Sequence, residues 1–339
     1  MPDRGARERR LAAVWYGREA PSLLLRILAK LYGGVLALRR RAYGAGLFSV
    51  HRIAVPVVVV GNVTVGGTGK SPLTAWLAER LHERGRRPGI ASRGYGRRTT
   101  DVRLVASGDA PEDVGDEPLM LARQTGVPVC VAARRADAAQ RLVDEGCDVI
   151  LCDDGLQHLA LARDFELAVL DGARGVGNGR LLPAGPLREP VRRLAEVDAV
   201  VVHGEGASPV RPRHALRLTL APSALRSVTG DAQQPLEWLR DREVHAVTGI
   251  GHPERFFTLL RQLGARVREH AHPDHHRFIA TDLAFGDALP VLMTAKDAVK
   301  CAELAGPGYW VLPVTAVLSN SDAEWLLGRI LALRAEGLA

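Results

Sequence analysis

Short apolar runs alternate with stretches of helical periodicity along most of the chain. Between Val55 and Val60 only Pro56 interrupts a run of valines, whose length and β-branched composition predict a buried strand. The run feeds GNVTVGGTGKSP, Gly61 to Pro72, which predicts a glycine-rich turn and then a helix from Pro72 to about Arg84. Proline suits that first helical turn because its missing N–H would go unpaired there anyway. The alternation continues through a short strand and the loop SRGYGRR (Ser92 to Arg98), VRLVA near Val102, a helix from Asp116 to Gln124, and VPVCVA from Val127. A helix from Arg135 to Glu145, then DVILCDDG from Asp148, ELAVLDG from Glu166 and DAVVVHG from Asp198 complete it. Apolar strands separated by helices predict a parallel sheet covered on both faces, with its ligand site at the carboxyl ends of the strands.

Beyond this region GEGASPVRPR, Gly204 to Arg213, reads as an interdomain linker. HALRLTL, REVHAVTGIG, ARVREHAHP and LPVLMTAKD then predict strands, with a helix from Pro253 to Leu263 between two of them. A second, smaller α/β domain is expected there. An amphipathic helix from Ser321 to Leu338 follows, with no docking partner assigned.

Near the N-terminus, Leu23 to Leu38 is apolar but broken by Arg26 and Lys30, too short and too charged for a comfortable membrane span. On a helix, Leu24, Ile27, Leu28, Leu31, Val35 and Leu38 share one face, and Arg26 and Lys30 lie nearly opposite. Two fates fit this pattern. The helix lies in a membrane interface with its basic residues toward anionic head groups, or it packs on the protein's own core. No A-x-A-like site follows a clean apolar run, which argues against a secretory signal.

Composition narrows the field. The 339 residues, 47% of them hydrophobic, suffice for two domains with separate cores, and the formal charge of +7 favours an anionic partner such as a nucleotide, a nucleic acid or an acidic membrane surface. Much of the excess charge precedes His51, and no basic patch interleaved with aromatics recurs in the body of the chain, which counts against nucleic acid. Cys130, Cys147, Cys152 and Cys301 show no C-x-x-C pairing and fit a reducing compartment.

The candidate chemistry starts at the glycine-rich turn. Amides of the turn and of the helix N-terminus converge there on one spot, so Thr64, Gly66, Gly67, Thr68 and Gly69 form a phosphate cradle, Lys70 adds a charge for the β- and γ-phosphates, and Ser71 can hold Mg²⁺. The strict G-x-x-x-x-G-K-[ST] pattern would have glycine at Thr64, but Gly66 and Gly67 still supply the backbone freedom. Asp153 and Asp154 end an apolar strand one sheet position from the loop, where a carboxylate holds Mg²⁺ or its water shell. Asp116 and Glu117 begin a helix and, taken alone, read first as residues that cap it and complement its dipole.

In HAHPDHH, His270 to His276, zinc at His272 and His275 would lack further ligands, since the cysteines offer none nearby. A histidine working with a carboxylate in proton transfer fits better. The Gly-, Pro- and Arg-rich segment from Asp171 to Pro190 has the length of a binding loop, in which Arg174, Arg180 and Arg188 can meet an anionic substrate. GIG at Gly249 to Gly251 lacks the third glycine of a dinucleotide-binding turn.

In this order, VVVGNVTVGGTGKSP, SRGYGRR, VGDEPLMLAR, VILCDDGLQH, LDGARGVGNGRLLPAGPLREP, VTGIGHPERFF, HPDHH and MTAKDAVK resemble the tetraacyldisaccharide 4′-kinases of the lipid A pathway of Gram-negative bacteria, from about Val57 to Lys300. The chain departs from the family pattern with Ser71 for the commoner threonine, His252 for asparagine and Ala295 for glutamate. The resemblance implies an α/β fold, a P-loop NTPase-like parallel sheet with helices on both faces plus a second smaller α/β domain. It implies transfer of the γ-phosphate of ATP to the 4′-hydroxyl of tetraacyldisaccharide 1-phosphate, giving lipid IVA. In that reading Asp116 takes the hydroxyl proton with His275 orienting it, and Glu117 with Asp153 or Asp154 assists Mg²⁺ beside Ser71. Asn62, Arg93, Tyr95, Gln157, His158, Arg174 and Arg188 fall on the substrate side.

The implied organisation is a basic amphipathic membrane-associating helix over 1–48, a P-loop kinase domain over 49–203, the smaller domain over 204–320 and a C-terminal helix over 321–339. ATP and Mg²⁺ are the implied cofactors. The implied partners are the acylated disaccharide lipid and the anionic cytoplasmic face of the bacterial inner membrane, with no nucleic acid and no protein partner. A membrane-bound P-loop ATPase switch of the partitioning type is the main rival, but its signature lysine would precede Gly66, where Val65 stands.

Overall fold

The structure, a computed structural model, describes residues 4–17 and 19–334. Helices α1 (Arg4–Tyr16) and α2 (Leu23–Gly44) come first. The one helix expected over 1–48 is therefore two, and residues 1–3 and 18 lie outside the described residues. Ser22 starts the second by accepting the Leu25 N–H on its Oγ at 3.4 Å, which satisfies one of the donors a helix start leaves open.

The large sheet begins with β1 (Val57–Gly61), followed by α3 (Lys70–Glu83), β2 (Pro88–Ser92), β3 (Arg103–Leu104), α4 (Pro111–Val114), α5 (Asp116–Thr125) and β4 (Val129–Val131). Next come α6 (Arg135–Asp144), β5 (Val149–Asp153), β6 (Phe165–Asp171), β7 (Ala199–His203) and β8 (Ala215–Pro222). From β4 through β2, β5, β1, β6 and β7 to β8 the neighbours pair in parallel, and β3 closes one edge antiparallel to β4. Val57 to Val60 are at most 1% exposed. That is why the strand reads as a continuous apolar run: helices cover both of its faces.

The second sheet is built from β9 (Leu225–Ser227), β10 (Gln233–Gln234), β11 (Glu243–Thr248), β12 (Arg266–Ala271), β13 (Val291–Thr294) and β14 (Tyr309–Leu312), with α7 (Pro253–Gln262) after β11 and α8 (Ala295–Cys301) after β13. Its six strands follow the order β10-β9-β14-β13-β11-β12, parallel from β14 to β12. The chain then returns. Strand β15 (Val314–Val317) pairs antiparallel with β8 as the ninth strand of the large sheet, and α9 (Asn320–Leu331) follows it.

This return corrects the division expected from sequence. The boundary at 203/204 is too early, because β8 continues the large sheet beside β7, and Gly204 to Arg213 is a connection within that sheet. Nor is 321–339 a unit by itself. Leu326, Leu327 and Ile330 of α9 share one buried cluster with Leu73, Leu77 and Leu81 of α3, each such side chain contributing about 1.5–3 kcal/mol; residues 335–339 lie outside the described residues. The alternation in ALRLTL marks a half-buried strand but carries nothing about which sheet accepts it. The smaller domain is thus an insertion between β8 and β15. Its two connections run side by side, with Ser223 N donating to Pro313 O at 3.1 Å.

Candidate active site

Strand β1 delivers the glycine-rich turn and α3 receives it. Gly66 and Gly69 have φ of 99° and 96°, left-handed values that a side chain would strain, so the glycines are required by the turn itself. Lys70 opens α3 with its side chain 14% exposed and its ammonium 3.8 Å from Asp154 Oδ1. Gly66 and Gly67 are exposed, whereas Thr64 and Thr68 are buried, and Thr68 Oγ1 has no hydrogen-bond partner. Ser71 lies in the first turn of α3, half-buried.

At the end of β5, Asp153 is 1% exposed and accepts the Thr74 hydroxyl at 3.1 Å. Burial, then the charge of Glu117, push its carboxyl up to about 7 against the pull of Lys70. Asp154 adopts a left-handed φ of 50° and is held by Arg188, whose Nη1 donates to its two oxygens at 2.7 and 3.0 Å. Burial would raise Asp154, but the charges of Lys70 and Arg188 hold it below the usual carboxylate range. The hard oxygens of Asp153 and Asp154, at the end of β5, are of the kind a divalent cation takes, and its charge would offset the burial and the Glu117 repulsion that raise Asp153.

A second cluster lies where the two domains meet. The backbones of SRGYGRR and VGDEP touch at Gly94 and Gly115: a Cβ at Gly115 would stand 2.9 Å from Gly94 Cα, so only glycine fits. The contact sets Asp116 at the start of α5, 7% exposed, and swings the exposed Tyr95 ring to 5.0 Å from His275. His275 comes from the smaller domain, in the turn after β12, with φ 59°. Its Nδ1 is 3.0 Å from Asp116 Oδ2. Burial would raise the Asp116 carboxyl, but the His275 hydrogen bond and the Lys296 charge hold it below the usual range. That same hydrogen bond raises the His275 imidazole, with burial and Lys296 pulling the other way. The arrangement can hold a hydroxyl proton on a carboxylate steadied by an imidazole.

Sequence reading missed Lys296. It lies in the first turn of α8, and its Nζ stands 3.3 Å from Glu117, 3.2 Å from Asp274, 3.8 Å from Asp116 and 3.4 Å from His275 Nε2. Its signals were the strand-end string LPVLMTAKD, a lysine at the carboxyl end of an apolar strand, and its place in the family-like segment MTAKDAVK.

The residues expected on the substrate side divide. Asn62 is fully buried and braces the loop, its Oδ1 accepting from Arg188 at 3.1 Å and its Nδ2 donating to Gly66 O at 3.4 Å, so it faces the loop and not an open cleft. Arg188 is likewise engaged by Asp154. Arg174 stacks over Tyr16 of α1 at 4.8 Å and lies beside Gly66. Gln157 donates to Asn62 O at 3.1 Å and receives Arg39 of α2 on its own carbonyl at 3.0 Å. Gln157 Oε1 and His158 Nε2 are buried without a partner, and burial with the surrounding arginines lowers His158 to about 4. Arg93 is exposed, and its charge is one of those acting on His158. Arg180 is held by its backbone, its N–H donating to Asn178 Oδ1 at 3.1 Å and its carbonyl accepting from Leu187 N at 3.1 Å.

Helix α2 docks by its polar side. Tyr32 donates to Arg188 O at 3.1 Å, and Arg40 pairs with Glu196 at 2.5 Å. Leu24, Ile27, Leu28, Leu31, Val35 and Leu38 face away from the protein, 41–69% exposed, and Leu47 and Phe48 extend the apolar strip. The alternative of an apolar face packed on the protein's own core does not occur. Among the described residues no helix is long and apolar enough to cross a membrane.

Comparison with known proteins points to a single family. The family model described as tetraacyldisaccharide-1-P 4′-kinase matches residues 21–331. A tetraacyldisaccharide 4′-kinase of Alkalilimnicola ehrlichii is 55% identical over 293 residues, covering 86% of this chain and 87% of that one. Another, from Stenotrophomonas maltophilia, is 48% identical over 326 residues, covering 94% and 96%. The crystal structure of LpxK from Aquifex aeolicus in complex with ATP superposes with a TM-score of 0.75 at 27% identity, covering 90% of this chain and 96% of that one.

Proposed function

This chain belongs to the tetraacyldisaccharide-1-P 4′-kinase family, and from that premise we propose how its residues divide the reaction. The protein is an ATP-dependent kinase of lipid A biosynthesis that phosphorylates the 4′-hydroxyl of tetraacyldisaccharide 1-phosphate. The glycine-rich turn and Lys70 hold the β- and γ-phosphates, the amides and the ammonium meeting the charge that develops on the transferring group. Asp116 accepts the proton of the attacking hydroxyl while His275 fixes the carboxylate's orientation. Ser71, Glu117, Asp153 and Asp154 would hold Mg²⁺, which when bound supplies charge neutralisation between the phosphates. Gln157, whose carbonyl receives Arg39 of α2, and its neighbour His158 offer polar groups to the disaccharide. Since Asp116 and His275 sit on different domains and meet at 3.0 Å, the proton acceptor exists only while the domains are together, which limits transfer to water.

The observation that carries the assignment is the 3.0 Å approach of His275 to Asp116 across the domain joint, on the helix whose next residue, Glu117, acts on the Asp153 carboxyl. Transfer of labelled phosphate from ATP to the disaccharide lipid tests it. Wild-type turnover in Asp116→Ala would remove the carboxylate from the reaction.

The site works at a membrane, on its cytoplasmic face, where an acylated substrate and ATP are both within reach. The exposed strip of α2 supports this: it enters the interface while Arg26 and Lys30 meet anionic head groups. Leu31→Gln together with Leu38→Gln should lower binding to anionic vesicles about tenfold or more without changing thermal stability, since both side chains are exposed. Unchanged cosedimentation would rule out α2 as the anchor.

A further inference from the structure

The charge arrangement at the domain joint assigns a role to a residue that the reading above leaves idle. Two carboxylates of the large domain, Asp116 and Glu117, face Asp274 and His275 of the smaller one. Among the described residues Lys296 is the only lysine or arginine within 4.0 Å of any of the three carboxylates. Without it, three carboxylates gathered around one point would repel, and the repulsion acts across the joint, pushing the His275 turn off α5. The ammonium also meets the ring. In the neutral imidazole that serves a base, the proton on Nδ1 points at Asp116, so Nε2 is an acceptor, and Lys296 Nζ, a donor only, stands 3.4 Å from it.

The backbone under Lys296 is fixed for this purpose. Asp297, fully buried, accepts from Thr248 Oγ1 at 2.8 Å, Thr294 Oγ1 at 2.6 Å and Gly249 N at 3.1 Å, tying the start of α8 to the end of β11. Gly249 O in turn accepts the His275 amide at 3.2 Å. Lys296 and His275 therefore hang from one rigid junction, and Val299 of α8 packs with Val114 and Leu119 on the far side of the joint.

We propose that Lys296 is a positioning residue for phosphoryl transfer: its ammonium holds the His275 ring on Asp116 and draws the facing carboxylates of the two domains together. This rests on the reading of Asp116 and His275 as the proton-accepting pair. The test compares Lys296→Met, Lys296→Arg, His275→Ala, Asp116→Ala and the double variant Lys296→Met/His275→Ala in the full-length protein. Lys296→Met should lower kcat by about 10- to 10²-fold with the KM for ATP within about twofold, and Lys296→Arg should recover part of the loss.

In the His275→Ala background, Lys296→Met should cost less than about twofold more, because drawing the facing carboxylates together serves only to keep the ring on Asp116. Losses that multiply, a KM for ATP that rises in step with the fall in kcat, or turnover near wild type in Lys296→Met would each overturn the proposal. If Lys296→Met does not fold, Lys296→Gln, which keeps a donor of similar reach, is read against the same outcomes. Retained turnover in both Asp116→Ala and His275→Ala would instead fail the underlying pair, whatever Lys296 does.

Discussion

The half of the site proposed to hold phosphate and the half proposed to take the proton are built in opposite ways. The first is one continuous segment, Gly61 to Pro72, set between β1 and α3 and anchored by a strand buried on both faces. The second is gathered from the start of α5, the turn after β12 and the start of α8, elements of two domains carried by two sheets. The local cradle is braced from within its own domain, Val65 N donating to Pro186 O at 2.9 Å and Arg188 N to Val63 O at 2.7 Å. A gathered one exists only while the domains are together, so nucleotide binding and chemistry depend on different parts of the fold.

Three experiments break or sharpen this contrast. The largest effect is expected in the local half. Lys70→Ala should abolish measurable transfer, a loss of about 10³-fold or more, while the thermal midpoint stays within a few degrees, since Arg188 still pairs Asp154 once the ammonium is gone. Turnover near wild type would remove the nucleotide role of the loop.

In the gathered half, Asp116→Ala and His275→Ala should each lower kcat by on the order of 10²-fold and leave the KM for ATP little changed. Their double variant should be scarcely worse than the poorer single, because groups acting as a unit are not additive. Multiplicative losses would separate them and dissolve the contrast.

The smallest effect links the halves through Asp153, whose carboxyl is raised to about 7 by burial first and by Glu117 second. A raised carboxyl must shed its proton to receive a cation, so Mg²⁺ affinity should climb with pH up to about 7, by at most tenfold per unit, and level off above. Titration of Mg²⁺ binding from pH 5.5 to 8 reads this directly. Asp153→Asn should flatten the profile, and an unaltered slope in that variant would place the linked proton elsewhere.

Sequence made the two halves unequally legible for the same physical reason that they differ. The valine run, the glycines and the helix start announce the phosphate turn because strand, turn and helix signals are local. The amphipathic face of α2 was readable too, since six positions at helical spacing define it, but periodicity cannot say whether such a face turns inward or outward. The dyad of Asp116 and His275 came through family likeness, not spacing: 159 residues separate them in the chain. Lys296 passed unnoticed because a lone lysine after an apolar strand gains meaning only from the carboxylates that another domain brings to it. The same limit hid the partner of β8, since an alternating strand records which face is buried and not which neighbour it finds.

The doubled connection between the domains has a mechanical consequence. Two short crossings bonded to each other at Ser223 and Pro313 act as a pair of straps lying side by side. Bending both together is easy, but twisting one domain against the other would stretch one strap and slacken the other. Any swing of the smaller domain would therefore keep close to one arc, and Lys296 and His275 would travel along it together, since both hang from the junction at Asp297 and Gly249.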